Sequence, residues 1–293
     1  MAADMETLVE KLVAASRKKV VDPYVDVPWT EKADPDAWYT APEYCSLFGT
    51  EVWDRLPEAQ RKKLAFQEAV LFYSINIHGE KALMQGLAKR LYRLRTTDVT
   101  PYLHHFLDEE NRHSMYFGRF CTQYAGRPYQ DKKLEVAQEM SPEEDDLFFF
   151  VKVMIFEELA DFYNVAQGWE LGEKLHPVAR AINKLHHIDE ARHLIFGREV
   201  AKILVKSCLA KWSDERAAEM RAYFEGYLHS TWQEYYNPEV YKDAGLADPY
   251  GVREMAYAHP ACRAHRKRVS ANVVKFMLEN RILAKEPDFA SEN

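Results

Sequence analysis

The chain has 293 residues, 47% hydrophobic and 29% charged, and a formal net charge of −7. This is the composition of a folded globular protein, and its acidic balance argues against a phosphate-binding nucleic-acid surface. No apolar run approaches the roughly 20 residues that cross a bilayer, so no membrane partner is expected.

Residues 1–23 read as an amphipathic helix in which acidic residues precede basic ones, unlike the order of a secretory signal. Cys45, Cys121, Cys208 and Cys262 lie far apart without a C-x-x-C pair, which predicts reduced thiols and a cytoplasmic protein. The rest of the opening segment, to residue 56, reads as an ordered arm. Helical periodicity then takes over. A long helix is predicted over 57–94, with Phe66, Val70, Tyr73, Ile77, Met84 and Leu87 on its apolar stripe. A second runs over 101–124. A third starts at Ser141, where Pro142 suits the first turn and Glu144 completes a capping box, and continues to about Gly168. A fourth covers 177–206, and two more follow at 214–235 and 261–283. Long helices with short connections predict an all-α protein built on a four-helix bundle.

The second and fourth helices carry the same motif. Glu109-Glu110-Asn111-Arg112-His113 matches Asp189-Glu190-Ala191-Arg192-His193, and each is followed by an aromatic-Gly-Arg. One Glu-x-x-His on a charged helix is weak evidence. Two copies with shared flanks are stronger, because Glu and His three residues apart project from one face. Facing helices of this kind supply half of a di-metal carboxylate site, which also requires one Glu from each of the other two helices. Glu80 falls on the apolar stripe of the first. The third offers Glu157 and Glu158. Glu158 continues the line of Leu147, Val151 and Met154 and is the preferred ligand, with Glu157 as the alternative. Four carboxylates and two imidazoles suit a pair of iron ions, and manganese also suits an oxygen-rich donor set. Glu109, Asp189 and Asp161 are candidates to hydrogen-bond the ligand histidines from behind, or to pair with Arg112 or Arg192. His186 lies one turn before Glu190 on the same face and has no counterpart in the first copy, where Phe106 stands. Its neighbour His187 is the alternative.

His186-x-x-x-Glu190-x-x-His193 together with Glu110-x-x-His113, the NIHGEKALMQGL segment around Glu80 and the FEELADFYN segment around Glu158 resemble the p-aminobenzoate N-oxygenase (AurF-like) family of di-iron oxygenases. The resemblance spans about residues 60–205. It implies a ferritin-like four-helix core with flanking helices and seven ligands, falling on Glu80, Glu110, His113, Glu158, His186, Glu190 and His193. It also implies two irons, dioxygen as co-substrate and a small-molecule amine oxidised through hydroxylamine toward nitroso or nitro. The spacing alone supports only an oxygen-activating di-iron protein. Carbon hydroxylation, desaturation or oxidative cleavage is the alternative, and iron storage or peroxide removal a weaker one.

The expected organisation is a single domain over 1–293, with an arm at 1–56, the di-iron core at 57–206 and flanking helices at 207–293. Phe72, Tyr73, Tyr92, Phe162 and Tyr163 are candidates for a substrate pocket, and Arg95 and Lys152 for anchors. The chain shows no nucleotide fingerprint of its own, so an external electron donor is expected. A homodimer is the expected assembly.

Overall fold

A computed structural model describes residues 2–93, 97–131 and 140–289. The described residues form helices and no strands; one isolated parallel bridge joins Trp38 and Leu175. The helices are α1 (Ala2–Lys18), α2 (Glu51–Arg55), α3 (Glu58–Arg90), α4 (Thr100–Phe120), α5 (Pro142–Val165), α6 (Pro177–Leu209), α7 (Asp214–Glu234), α8 (Pro238–Asp243), α9 (Pro249–Ala258) and α10 (Pro260–Glu279). None is long and apolar enough to cross a membrane.

Local signals account for most helix boundaries. Ser141 and Glu144 form the predicted capping box, with Glu144 N donating to Ser141 Oγ (3.3 Å) and Ser141 N to Glu144 Oε2 (2.9 Å). Ser213 caps α7 by accepting from Arg216 N (3.3 Å), and Pro stands in the first turn of α4, α5, α6, α8, α9 and α10. α4 and α5 each end in a wider turn, Cys121–Ala125 and Ala166–Glu170. α3 stops at Arg90, earlier than predicted, because Leu91 turns extended and Tyr92 takes a left-handed φ of 57°.

Helices α3 to α6 make the four-helix core. α3 packs mainly on α4 and α5 mainly on α6, with α3–α5 and α4–α6 contacts closing the bundle. Around it, α1 lies on α4 and α6, α8 on α3, and α7 and α10 on α5. The arm after α1 crosses the bundle at the α5–α6 turn, where His176 N donates to Trp38 O (2.7 Å) and Ala41 N to Gln167 Oε1 (3.0 Å).

Apolar packing divides into two clusters. The larger holds Ile75, Phe117 and Ile182; the smaller, toward α1, holds Leu83, Phe106, Phe150 and Phe196. Between them the core helices place a layer of charged and polar residues. α3 and α5 approach closely here. Gly79 leaves room for the buried ring of Phe156, which a methyl group would meet at 2.4 Å. Alanine is favoured over glycine in a helix by up to about 1 kcal/mol. Overpacking a core contact costs about 1–3 kcal/mol and outweighs it. Gly79→Ala is therefore expected to lower the urea midpoint of the protein.

Candidate metal centre

Glu80 comes from α3, Glu110 and His113 from α4, Glu157 from α5, and His186, Glu190 and His193 from α6. All seven are at most 2% exposed. Charged side chains are rarely buried without a partner of opposite charge or a metal. Three groups of these residues converge closely enough to hold an ion: Glu80, His113 and His186; Glu110, Glu190 and His193; and Glu157, His186 and Glu190.

Glu190 is central. Its Oε1 lies 3.4 Å from His113 Nδ1, 2.9 Å from His186 Nε2 and 3.3 Å from His193 Nδ1. Glu110 also spans the cluster, with Oε2 3.5 Å from His113 Nδ1 and Oε1 2.9 Å from His193 Nδ1. Glu80 Oε1 is 3.8 Å from His113 Nδ1 and 3.9 Å from His186 Nε2, while its other oxygen accepts from Ser114 Oγ (2.9 Å).

Behind the ring, the acids that precede each motif's glutamate cross over. Asp189 of α6 takes His113 Nε2 of α4 (3.1 Å), and Glu109 of α4 takes His193 Nε2 of α6 (2.8 Å). Arg192 joins both acids, with Nη2 2.6 Å from Glu109 Oε1 and in contact with Asp189 Oδ1. It also donates to Ser16 of α1 (3.1 Å). Its counterpart Arg112 turns outward to Asp108.

Two expected site residues lie elsewhere. Glu158 faces away from the cluster and pairs with Arg198, Nε to Oε1 at 2.5 Å. Glu157 takes its place. Adjacent helix positions differ by about 100°, so only one of the two can face the ring. Apolar periodicity could not choose between them, because α5 is buried on every side from Met154 to Ala160. Asp161 holds His187 Nδ1 (2.7 Å), which turns away from the cluster and leaves His186 inside it.

The donor set fits a pair of cations. Glu80 Oε1, both oxygens of Glu110 and of Glu157, Glu190 Oε2, His113 Nδ1 and His186 Nε2 are buried without a hydrogen bond. Such atoms cost about 1–3 kcal/mol each when unsatisfied. Four ionised carboxylates also balance two divalent ions in charge. Without cations the carboxylates cannot all ionise together. Burial, then the charge of Glu110, pushes Glu80 well above the usual carboxylate range; burial, then Glu190, does the same to Glu157. Burial also opposes ionisation of Glu190, yet His193 and His186 hold it well below that range. Asp189 is likewise disfavoured by burial, and its hydrogen bond to His113 brings it down to about 2.

Beyond the His186 end of the cluster lies a small chamber of about 30 Å³, lined by Tyr44, Glu68, Phe72, Tyr163, Trp232 and Tyr235 among others. Its position along α3 and α5 is roughly 9–12 Å from the ring, at 1.5 Å rise per residue. Ser46, Tyr236 and His265 are shared with an outer cavity of about 430 Å³ between the arm and α10. Of the predicted pocket residues, Phe72 and Tyr163 line the chamber. Tyr73 is buried in the core, Phe162 packs on Tyr44, and Tyr92 is exposed. Lys152 is half-buried on α5 and lines neither cavity, and Arg95 lies outside the described residues.

The described residues form a four-helix bundle whose buried ring of carboxylates and imidazoles fits a non-haem di-metal centre. The family described as P-aminobenzoate N-oxygenase AurF matches residues 2–280, and the chain belongs to that family. The protein is thus a di-metal oxygenase, with a pair of iron ions and dioxygen as the cofactor and co-substrate that accompany this family. Among solved structures, three variants of an R2-like ligand-binding oxidase with an aerobically reconstituted Mn/Fe cofactor are similar. They are 14–15% identical, with TM-scores of 0.46–0.47, over 95% of this chain and 93% of theirs. No curated protein matches in sequence.

Two outcomes follow from these placements. Glu157→Ala should lose at least one of two bound metal ions, whereas Glu158→Ala should keep both, as read by metal analysis after anaerobic loading. Glu68 provides a pH test. Burial raises its carboxyl from 4.5 to about 7 against the hydrogen bonds from Ser46. The folded state therefore holds a proton that the unfolded chain releases. The stability this contributes is complete below about pH 4.5 and is lost as pH rises through about 7, at most about 3 kcal/mol. Urea unfolding of the metal-free protein should show that decline, and Glu68→Gln should flatten it.

Proposed function

We propose that the protein oxidises the nitrogen of a small-molecule amine, first to a hydroxylamine and onward toward nitroso or nitro. The observation that carries this reading is the membership of a p-aminobenzoate N-oxygenase family combined with seven converging buried donors. In this reading Glu80, Glu110, His113, Glu157, His186, Glu190 and His193 would hold the two ions. When bound, the pair supplies the electrons that reduce dioxygen and the oxidising power for transfer of one oxygen atom.

The side chains set the conditions for that chemistry. Asp189 and Glu109 can only accept, so each keeps the proton on Nε2 of its histidine and leaves Nδ1 free to donate its lone pair. The two apolar clusters keep bulk water from the ring. Phe72 and Tyr163 line the chamber on the His186 side, the approach this reading assigns to the amine. Converting an amine and dioxygen to a hydroxylamine and water consumes two further electrons and two protons. An external donor supplies these for the first step. Four buried thiols without disulfides accord with a reducing, cytoplasmic setting.

The test is product analysis after anaerobic ferrous loading, with a panel of aryl- and alkylamines, a reductant and isotopically labelled dioxygen. Label should appear on nitrogen. His186→Ala should lose the product and His187→Ala should keep it, because His187 faces Asp161 rather than the ring. Label found only on carbon would overturn the amine reading.

A further inference from the structure

The three histidines of the ring are not held alike. His113 and His193 turn Nδ1 inward and are backed at Nε2 by Asp189 and Glu109. His186 turns Nε2 inward instead, and its Nδ1 lies 2.7 Å from Nδ2 of Asn164, a fully buried residue of α5. A carboxylate accepts only. A carboxamide donates from one end and accepts at the other, and the two ends have the same shape.

In the orientation seen, Asn164 Nδ2 donates to His186 Nδ1. The proton of a neutral imidazole then sits on Nε2, the nitrogen that faces the ring 2.9 Å from Glu190 Oε1. That tautomer has no inward lone pair and cannot bind a metal. A half-turn of the amide brings Oδ1 to Nδ1, where it accepts Nδ1–H and frees the Nε2 lone pair. Oδ1 has no hydrogen bond in the present orientation, so the turn gives up nothing on that side.

We propose that Asn164 makes His186 a conditional ligand, held off the ring by one orientation of its amide and admitted by the other, while His113 and His193 are preset. The inference rests on the ring being a di-metal centre. Asn164 is thus a positioning residue that acts through His186. A change of this kind behind a ligand histidine shifts metal affinity by about 10–100-fold.

The test uses zinc(II), which has no redox chemistry, titrated into metal-free protein against a competing chelator. Wild type should bind two ions with unequal affinity. Asn164→Asp has the same shape but only accepts, and it should tighten the weaker ion by about 10–100-fold. Asn164→Leu can do neither and should loosen it by a similar factor. Added charge alone could tighten binding, so both changes are repeated on His186→Ala, where their effects should vanish. Unchanged affinities, or shifts that persist without His186, would overturn the proposal. If Asn164→Leu does not fold, the Asn164→Asp pair decides. Wild type that binds fewer than two ions would overturn the di-metal reading itself, and this inference with it.

Discussion

Four carboxylates and three imidazoles held in a thin layer between two apolar clusters are the constraint on which the rest of the protein depends. A layer like this would split the core unless its charges were compensated. Burial in a low-dielectric interior makes each unpaired carboxylate costly. Two divalent cations would cancel four carboxylates at one stroke. In their absence the ring divides its load: Glu80 and Glu157 are driven toward the neutral acid, while Glu190 remains ionised against its histidines. The apolar residues above and below exclude water, and that exclusion strengthens both the compensation and its absence.

The support behind the ring follows from the motif's duplication. Each copy supplies a ligand histidine and an acid, but the acid of one copy holds the histidine of the other. α4 and α6 are therefore tied together through two imidazoles, and Arg192 ties the two acids to each other and to Ser16 on α1. A buried arginine between two acids contributes little net stability on its own. Its loss would leave two buried acids with one fewer counter-charge, at a cost of several kcal/mol. The outer helix is in this way coupled to the geometry of the ring. Where the copies differ, the difference has a use. Phe106 stands where the second copy has His186, and its ring stacks on His193 at 3.9 Å. One end of the ring is closed by carbon and the other is offered a third nitrogen.

Much of this was legible in the sequence, for physical reasons that also mark the limit. The four core helices and the capping box of α5 rest on local periodicity and capping chemistry. The paired Glu-x-x-His motifs are local too, since their geometry lies within one helical turn. Glu157 was not legible. A stripe shows which way a helix faces only when one side meets solvent, and α5 meets α3, α6, α7 and α10. The neighbour Glu158 is explained by Arg198, a partner 40 positions away that no local rule connects to it. The crossing of Glu109 and Asp189 to opposite histidines depends on how α4 and α6 pack. Asn164 closes the FEELADFYN segment, but nothing local to it shows that it faces His186, a residue 22 positions away on another helix.

The asymmetric end of the ring and the chamber share a wall. Tyr163 lines the chamber and is followed at once by Asn164, and Gln167 one turn later both lines the chamber and holds the arm through Ala41 N. In the proposed reading, an amine entering past Tyr163 would meet the same turn of α5 that carries Asn164, the partner of His186. His193 lies beyond Glu190 on α6 and against Phe106, whereas His113 stands beside His186, ring centroids 4.7 Å apart, and is fixed there by Asp189. In the proposed reading, the conditional histidine would face the chamber, and the preset His193 faces the carbon of Phe106. A centre that had to store or sequester iron would gain nothing from such a difference between its ends. A centre that must coordinate the arrival of a substrate with the state of its metal pair would.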